Sequence, residues 1–305
     1  MLVSDAVRLQ LIEQNRPVVT GYELFVLQSK LCRAGKFQDI NLAVRQINPN
    51  RYDYNRLVAQ LSKGRYIQPD RDFNNQATTG SGGMKRGNQV FRVIDVDDGS
   101  AEDIAGIVDP FCYVSYLSAM QRYGLTNRLP EALMISTMAD WKVAAAAREL
   151  EDFGAVNERN VYRFSFSRTA WPGLLRQRSI LCYPTNKTPQ LRDIHDSHAR
   201  ITEIGETFVQ MLDRPKLCGG MNHVVEVWQL HANDYLRQII LAVQRAPEYI
   251  IKLRAGYLLD EMLGIRDPVI NAWKKYAQPG GSQRLDPGRP FSSRHSEKWM
   301  LSLNA

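Results

Sequence analysis

Read from its start, the chain alternates short amphipathic stretches with breaks marked by glycine and proline. Leu24, Leu27 and Leu31 recur at helical spacing. Ahead of them, Thr20-Gly21-Tyr22-Glu23 fits a capping box, in which a Thr hydroxyl and a Glu three positions on satisfy each other's orphan amides. Gly35 is placed to end that helix. Asp39 can cap a second short helix with Ile40, Ala43, Val44 and Ile47 as its apolar stripe, stopped by Asn48-Pro49. A third helix is predicted over Arg51–Lys63, closed by Gly64. Two β-prone segments follow, RYIQ at 65–68 and QVFRVID at 89–95, around the polar run NNQATTGSGGMKRGN, which has nothing to bury. Three helices and then a two-stranded hairpin is the order of a winged helix-turn-helix.

On that pattern the polar run is the wing. A wing tip reaches past the core to the phosphate backbone, so it needs charge and close backbone approach rather than apolar residues. Lys85 and Arg86 supply the charge and the glycines the approach. Without its neighbours the same run reads as a plain flexible insertion. The third helix sorts into two faces. With Leu57 at the origin and ~100° per residue, Leu61, Tyr54 and Val58 fall within ~100° of it and form a core stripe. Asn55, Ala59, Tyr52, Lys63 and Arg56 fall on the opposite side, between ~160° and ~260°. Arg and Asn suit base edges, Tyr and Lys suit phosphate, and Ala permits close approach. The competing reading is an ordinary solvated face. The candidate DNA contacts are therefore Arg51, Tyr52, Asn55, Arg56, Ala59, Lys63, Lys85 and Arg86.

Beyond residue 95 the pattern becomes mixed. DVDDGSAED reads as an acidic, turn-rich link. Asp109-Pro110 are placed to start a helix that Gly124 ends. Strands are predicted at EALMISTM, VYRFSFSR and RSILCYPT, with RITEI as a short fourth. Helices follow at GETFVQMLD, MNHVVEVWQLHA, NDYLRQIILAVQRA, PEYIIKLRAGYLLDEMLG and DPVINAWKKYAQ. A Gly-, Pro- and Ser-rich end finishes on the strand-like KWMLSL, and no internal repeat is visible.

The expected fold class is thus α+β: a winged helix-turn-helix over 1–95 and a larger mixed α/β domain over 96–305. The latter divides into an α/β core at 96–205, a helical part at 206–278 and an extended tail at 279–305. At 305 residues there is room for both, and 44% hydrophobic with 23% charged residues is ordinary for a globular chain. Charge sharpens the division. Residues 1–95 hold 14 Lys and Arg against 8 Asp and Glu, and the rest of the chain is nearly balanced at 25 against 24. A cationic first third points to a polyanion as its partner. No apolar run approaches the ~18–20 residues of a membrane helix. The opening MLVSDAVRLQLIEQNRP carries Asp5 and Glu13 and has no signal core, so a cytoplasmic protein is expected.

Candidate chemistry is sparse. Cys32, Cys112, Cys182 and Cys218 form no CxxC pair and read as buried thiols in a reducing compartment. His195 and His198, with Asp193 and Asp196, invite a metal reading, but lack HExxH spacing and read better as a solvated loop. Cys218-Gly219-Gly220 has no His/Asn partner motif and reads as a buried Cys at a turn. Lys252 and Arg254 read as cations facing water, or an acidic partner, from a helix. P-loop, GxGxxG and GxSxG motifs are missing, as are carboxylates at nuclease spacing. Binding is therefore favoured over catalysis, with no cofactor or metal assigned.

Three blocks carry a resemblance: DPFCYVSYLSAMQRYGLT, RITEIGETFVQMLDRPKLCGG and LRAGYLLDEMLG. They resemble the AbiEi-type antitoxins of bacterial type IV toxin–antitoxin and phage abortive-infection systems, over nearly the whole chain. The resemblance implies an N-terminal domain that represses its own operon at inverted repeats in double-stranded DNA. It also implies a C-terminal domain that counteracts a nucleotidyltransferase-like toxin without a stable complex. The long wing and the NPNRYDYNRL helix depart from the shorter usual pattern, so the resemblance assigns no base-reading residue. Two other functions remain open on the sequence: a nuclease-like defence enzyme fed by the basic module, and a regulator whose C-terminal domain senses a small effector.

Overall fold

The computed structural model describes residues 1–73, 89–154, 164–166, 168, 170–278 and 283–305. The fold is mixed α/β, in two compact units. One comprises Met1–Cys112, Thr137–Asn186 and Ile194–Ala199; the other comprises Tyr113–Ser136, Lys187–Asp193 and Arg200–Ala305. The first unit thus runs past residue 95, where charge and pattern alone place a division.

That unit opens with α1 (Val3–Glu13), which periodicity does not single out because its buried residues are few and mostly small: Ser4, Ala6, Val7 and Leu11. β1 (Val18–Thr20) leads into α2 (Gly21–Ala34). The expected capping box is formed: Thr20 Oγ1 accepts from the Glu23 amide at 3.2 Å, and Glu23 Oε2 accepts from the Thr20 amide at 3.2 Å. Gly35 ends α2 in the left-handed region at φ 66°.

The second predicted helix does not form. In its place β2 (Lys36–Phe37) and β3 (Ile40–Asn41) make a minimal antiparallel ribbon around Gln38, and residues 42–50 run irregularly. The physical reason lies in the supposed apolar stripe: Ile40 and Ile47 are exposed, so a helix there would have had almost nothing to bury.

The third helix does form, as α3 (Arg51–Lys63). Asn50 caps it, with Oδ1 accepting from the Tyr52 amide at 2.8 Å, and Asp53 answers by accepting from the Asn50 amide at 3.0 Å. Tyr54, Leu57 and Leu61 are buried as the angular reading expects. Gly64 follows without left-handed backbone; Arg65 takes that conformation instead, at φ 58°. β4 (Ile67–Pro69) and β5 (Val90–Val93) fall within the two β-prone segments. The sheet has the order β1-β5-β4, all antiparallel, with Val19 opposite Phe91 and Gln68 opposite Arg92.

The expected link at 95–103 runs instead into α4 (Ala101–Val108), capped by Ser100 and Asp103. The helix expected to begin at Asp109-Pro110 starts later, because Asp109 ends α4. Its carboxylate accepts from the Phe111 amide at 2.9 Å and from the Thr137 hydroxyl at 2.8 Å. β6 (Tyr113–Val114) and α5 (Tyr116–Arg122) follow, and Gly124 stops the chain at φ 69°. β7 (Ala132–Met138) is as expected, whereas α6 (Trp141–Phe153) is not foreseen. Of the predicted strand VYRFSFSR, Phe164–Phe166 are irregular and most of the remainder lies outside the described residues. Phe153 and Phe164 join the core of the first unit, where the Phe164 ring stacks on Phe25 at 4.6 Å. β8 (Leu174–Leu175) and β9 (Arg178–Thr185) form a tight hairpin.

In the second unit, β10 (Leu191–Asp193) pairs antiparallel with β11 (Arg200–Thr202), β11 parallel with β6, and β6 antiparallel with β7. The helices fall where predicted: α7 (Ile204–Asp213), α8 (Met221–His231), α9 (Leu236–Arg245) and α10 (Tyr249–Gly256). A π-helical turn, Tyr257–Met262, continues α10, and α11 (Pro268–Ala272) follows. β12 (His295–Ser296) and β13 (Leu301–Ser302) close the chain, with Trp299 buried between them in sequence.

Candidate nucleic-acid interface

The outward face of α3 stands open. Arg51, Tyr52, Asn55, Ala59 and Lys63 are exposed, Tyr52 to 73%. The same helix buries Tyr54 against Phe164 at a ring distance of 4.5 Å, so one side is anchored while the other meets solvent. Arg56 differs from its neighbours. It is half-buried, and its Nη2 donates to Asp53 Oδ1 at 3.1 Å, one turn earlier. Its charge is thus partly answered within the helix. Gln46 also donates to Asp53. Lys85 and Arg86 lie outside the described residues. Two exposed arginines near the face, Arg45 and Arg65, are absent from the sequence candidates.

Three aspartates flank the β4–β5 hairpin, Asp70, Asp72 and Asp98, and the buried side chain of Arg176 binds all of them, with Arg71 and Arg92 also pairing with Asp98 at 3.4 and 3.6 Å. Arg176, at the β8–β9 turn, donates to Asp70 at 2.6 Å, to Asp98 at 2.9 Å and to Asp72. Burial disfavours its charge, but the hydrogen bonds and charges of those aspartates more than offset this and push its pKa up. Both Arg176 and Gln177 have positive φ, which makes the turn tight enough to deliver the guanidinium. No linear signal links position 176 to position 70. The only hint in sequence is three aspartates flanking an otherwise cationic segment.

Other sequence candidates resolve differently. His195 is exposed and lies 2.8 Å from the Asp196 carboxylate, while His198 Nε2 lies 2.9 Å from the Asn15 carbonyl. Among the described residues no group of three or more His, Cys, Asp or Glu could hold a metal ion. No disulfide joins the four cysteines; Cys32, Cys112 and Cys218 are buried and Cys182 is half-buried. Burial pushes the Cys218 thiol well up, away from nucleophile chemistry.

Lys252 and Arg254 do not face water, contrary to the sequence reading. They are only 7% and 6% exposed. Arg254 Nη1 donates to the Leu212 carbonyl at 2.7 Å, near the end of α7, and Lys252 Nζ donates to the Ala246 carbonyl just past α9. Each cation satisfies a carbonyl that its helix leaves without a partner. Burial lowers both pKa values, that of Arg254 to about 10.

Among the described residues no helix is long and apolar enough to cross a membrane. No family model matches the sequence, and no curated protein is similar to it.

Proposed function

We propose that the chain is a DNA-binding transcriptional repressor with a winged helix-turn-helix, whose remaining residues serve as an antitoxin domain. One observation carries the DNA-binding half: an exposed, cationic α3 lies directly before a hairpin in a sheet of order β1-β5-β4. In this reading α2, residues 35–50 and α3 are the helix-turn-helix, and α3 is the recognition helix. The β4–β5 hairpin is the wing, with Lys85 and Arg86 in the sequence between its two strands. Asn55 and Arg56 read bases, Arg51, Tyr52 and Lys63 hold phosphates, and Ala59 admits the groove wall. The minimal β2–β3 ribbon takes the place of the middle helix of the expected trio, and α1 supplies the third helix of the core.

The antitoxin half rests on the AbiEi-like sequence blocks. It implies autoregulation at inverted repeats and a nucleotidyltransferase-like toxin as functional partner, countered without a stable complex. The reading assigns no catalytic residue, cofactor or metal, and a DNA partner places the protein in the cytoplasm.

A gel-shift titration on the DNA upstream of its own gene tests the first half. The expected result is salt-sensitive, sequence-preferring binding at nanomolar to micromolar protein. Equal affinity for a shuffled duplex overturns it. For the second half, co-expression with the neighbouring open reading frame should relieve growth arrest if that frame encodes the toxin.

A further inference from the structure

Within the second unit, a cavity of about 470 Å³ opens beside the π-helical turn, lined also by the 265–274 segment and Lys298. Small-molecule sites span roughly 300–1,000 Å³. Its apolar wall is Ile265, Pro268 and Ile270, and its charged groups are Asp260, Asp267, Arg266, Lys274 and Lys298.

Asp260 organises the cations. It is 6% exposed. Its Oδ1 accepts from Arg266 Nη1, and its Oδ2 accepts from Lys298 Nζ and, at 3.2 Å, from the Trp299 indole. The turn that carries it closes with the Leu263 amide donating to the Leu258 carbonyl at 3.0 Å, five residues back. Such π-turns recur at functional sites. With both oxygens engaged by donors, the carboxylate offers no seat to a metal ion or an amine.

One buried carboxylate needs one cation, and three line this cavity. The Arg266 side chain is 74% exposed, and only its Nη1 is engaged among the described residues, which leaves Nε and Nη2. Lys298 Nζ bonds Asp260 alone, and Lys274 Nζ bonds Asn271 Oδ1 alone. An ammonium has three donors, so each lysine keeps two. Asp267, the second carboxylate on the wall, accepts from the Val269 and Ile270 amides at 2.7 and 3.3 Å as the cap of α11. Beyond Asp260 the wall therefore holds two positive charges in excess, with unused N–H donors.

We infer that this cavity binds the phosphate of a small phosphate ester. The dianion matches the excess charge, and its outer oxygens take donors from Arg266, Lys274 and Lys298. Asp260 holds two of those cations in place before the ligand arrives, which lowers the ordering cost of binding. A phosphate group alone does not fill 470 Å³, and the organic part of the ester lies against Ile265, Pro268 and Ile270. The site does not depend on the repressor reading.

The test titrates the full chain by calorimetry in low-salt, phosphate-free buffer. The probes are glycerol phosphate, ribose phosphate and orthophosphate, with glycerol and ribose as matched alcohols. At least one ester should bind with Kd below about 1 mM, and its alcohol should not bind. Lys274→Gln removes a cation that makes no hydrogen bond to Asp260, and should weaken ester binding about tenfold. Arg266→Gln leaves Asp260 its bonds from Lys298 and Trp299, and should weaken it similarly. Arg237→Gln, at an exposed position of α9 outside the cavity, should change nothing.

Absence of binding by both esters, or equal losses from Arg237→Gln and Lys274→Gln, would overturn the site. Orthophosphate bound as tightly as the esters would overturn the ester and make the ligand inorganic phosphate. Duplex affinity lost in Lys274→Gln, with no ester bound, would assign these cations to nucleic acid and overturn the small-molecule site. A failed gel shift leaves ester binding standing, and a failed titration leaves the repressor reading standing.

Discussion

Arg176 and Asp70 form a buried ion pair at 2.6 Å, with side chains 7% and 1% exposed, joining residues 106 positions apart in sequence. Asp70 directly follows β4, so the pair fixes where one arm of the hairpin leaves the sheet. Asp98, beyond β5, accepts from the same guanidinium. Arg176 thus ties both arms together and, with Arg71 and Arg92, which pair with Asp98 at 3.4 and 3.6 Å, offsets acidic charge beside a surface proposed to meet phosphate.

Removing the arginine strands a buried carboxylate. Arg176→Met should destabilise the protein by about 3–5 kcal/mol, whereas the double change Arg176→Met with Asp70→Asn should recover part of that loss. Urea unfolding of the three proteins measures it. Equal stability of Arg176→Met and wild type would show that the pair contributes nothing.

Asp152 gives a pH dependence. Burial pushes its pKa up, but hydrogen bonds and charge from Lys30 and Arg148 outweigh burial and leave it below the usual carboxylate range. The Tyr22 hydroxyl donates to it as well, at 3.1 Å. A lowered folded-state pKa means stability present above the unfolded value of about 3.9 and lost as pH falls through the folded one. Asp152→Asn should therefore cost about 1–3 kcal/mol near pH 7 and narrow its deficit in the acid range. Thermal melts from pH 7 to pH 3 read the difference; a deficit independent of pH contradicts the assignment.

Gly256 marks the junction of α10 and the π-helical turn. A Cβ there would stand 2.2 Å from the Trp299 ring, and that indole is held by a hydrogen bond to Asp260 at 3.2 Å. Gly256→Ala should cost about 1–3 kcal/mol through overpacking, seen as a melting point lower by several degrees. An unchanged melting point would mean that the ring moves aside at no cost.

The two arms of the proposed DNA surface should separate by titration. Arg56→Ala should weaken specific binding more than non-specific binding, each lost base contact being worth about 1–3 kcal/mol. Lys85→Ala with Arg86→Ala should weaken both equally and reduce the salt slope by about 2. Identical effects of the two changes would remove the division between base reading and phosphate contact.

Legibility in the sequence followed local chemistry. α2 and α3 were readable because their capping residues, buried stripes and stops sit within a few positions of one another. β4 and β5 were readable because β-prone residues flank a polar run. The 39–47 helix failed on a tertiary fact, the absence of anything for Ile40 and Ile47 to pack against. α4 was hidden because Asp97 and Asp98 before Ser100 make the segment look like a link, although Ser100 and Asp103 form a capping box. Lys252 and Arg254 looked like solvent-facing cations because sequence cannot show that two helix ends require their protons. The role of Arg176 depends on contacts between distant segments, which no spacing reports.

The most direct measurement is fluorescence anisotropy on the duplex upstream of the gene, comparing wild type with the triple variant Tyr52→Ala, Asn55→Ala, Lys63→Ala at matched melting temperature. If the outward face of α3 grips DNA, the variant should lose affinity by about a hundredfold, or 2.7 kcal/mol, with its fold intact. Equal affinity of the two proteins would contradict the account.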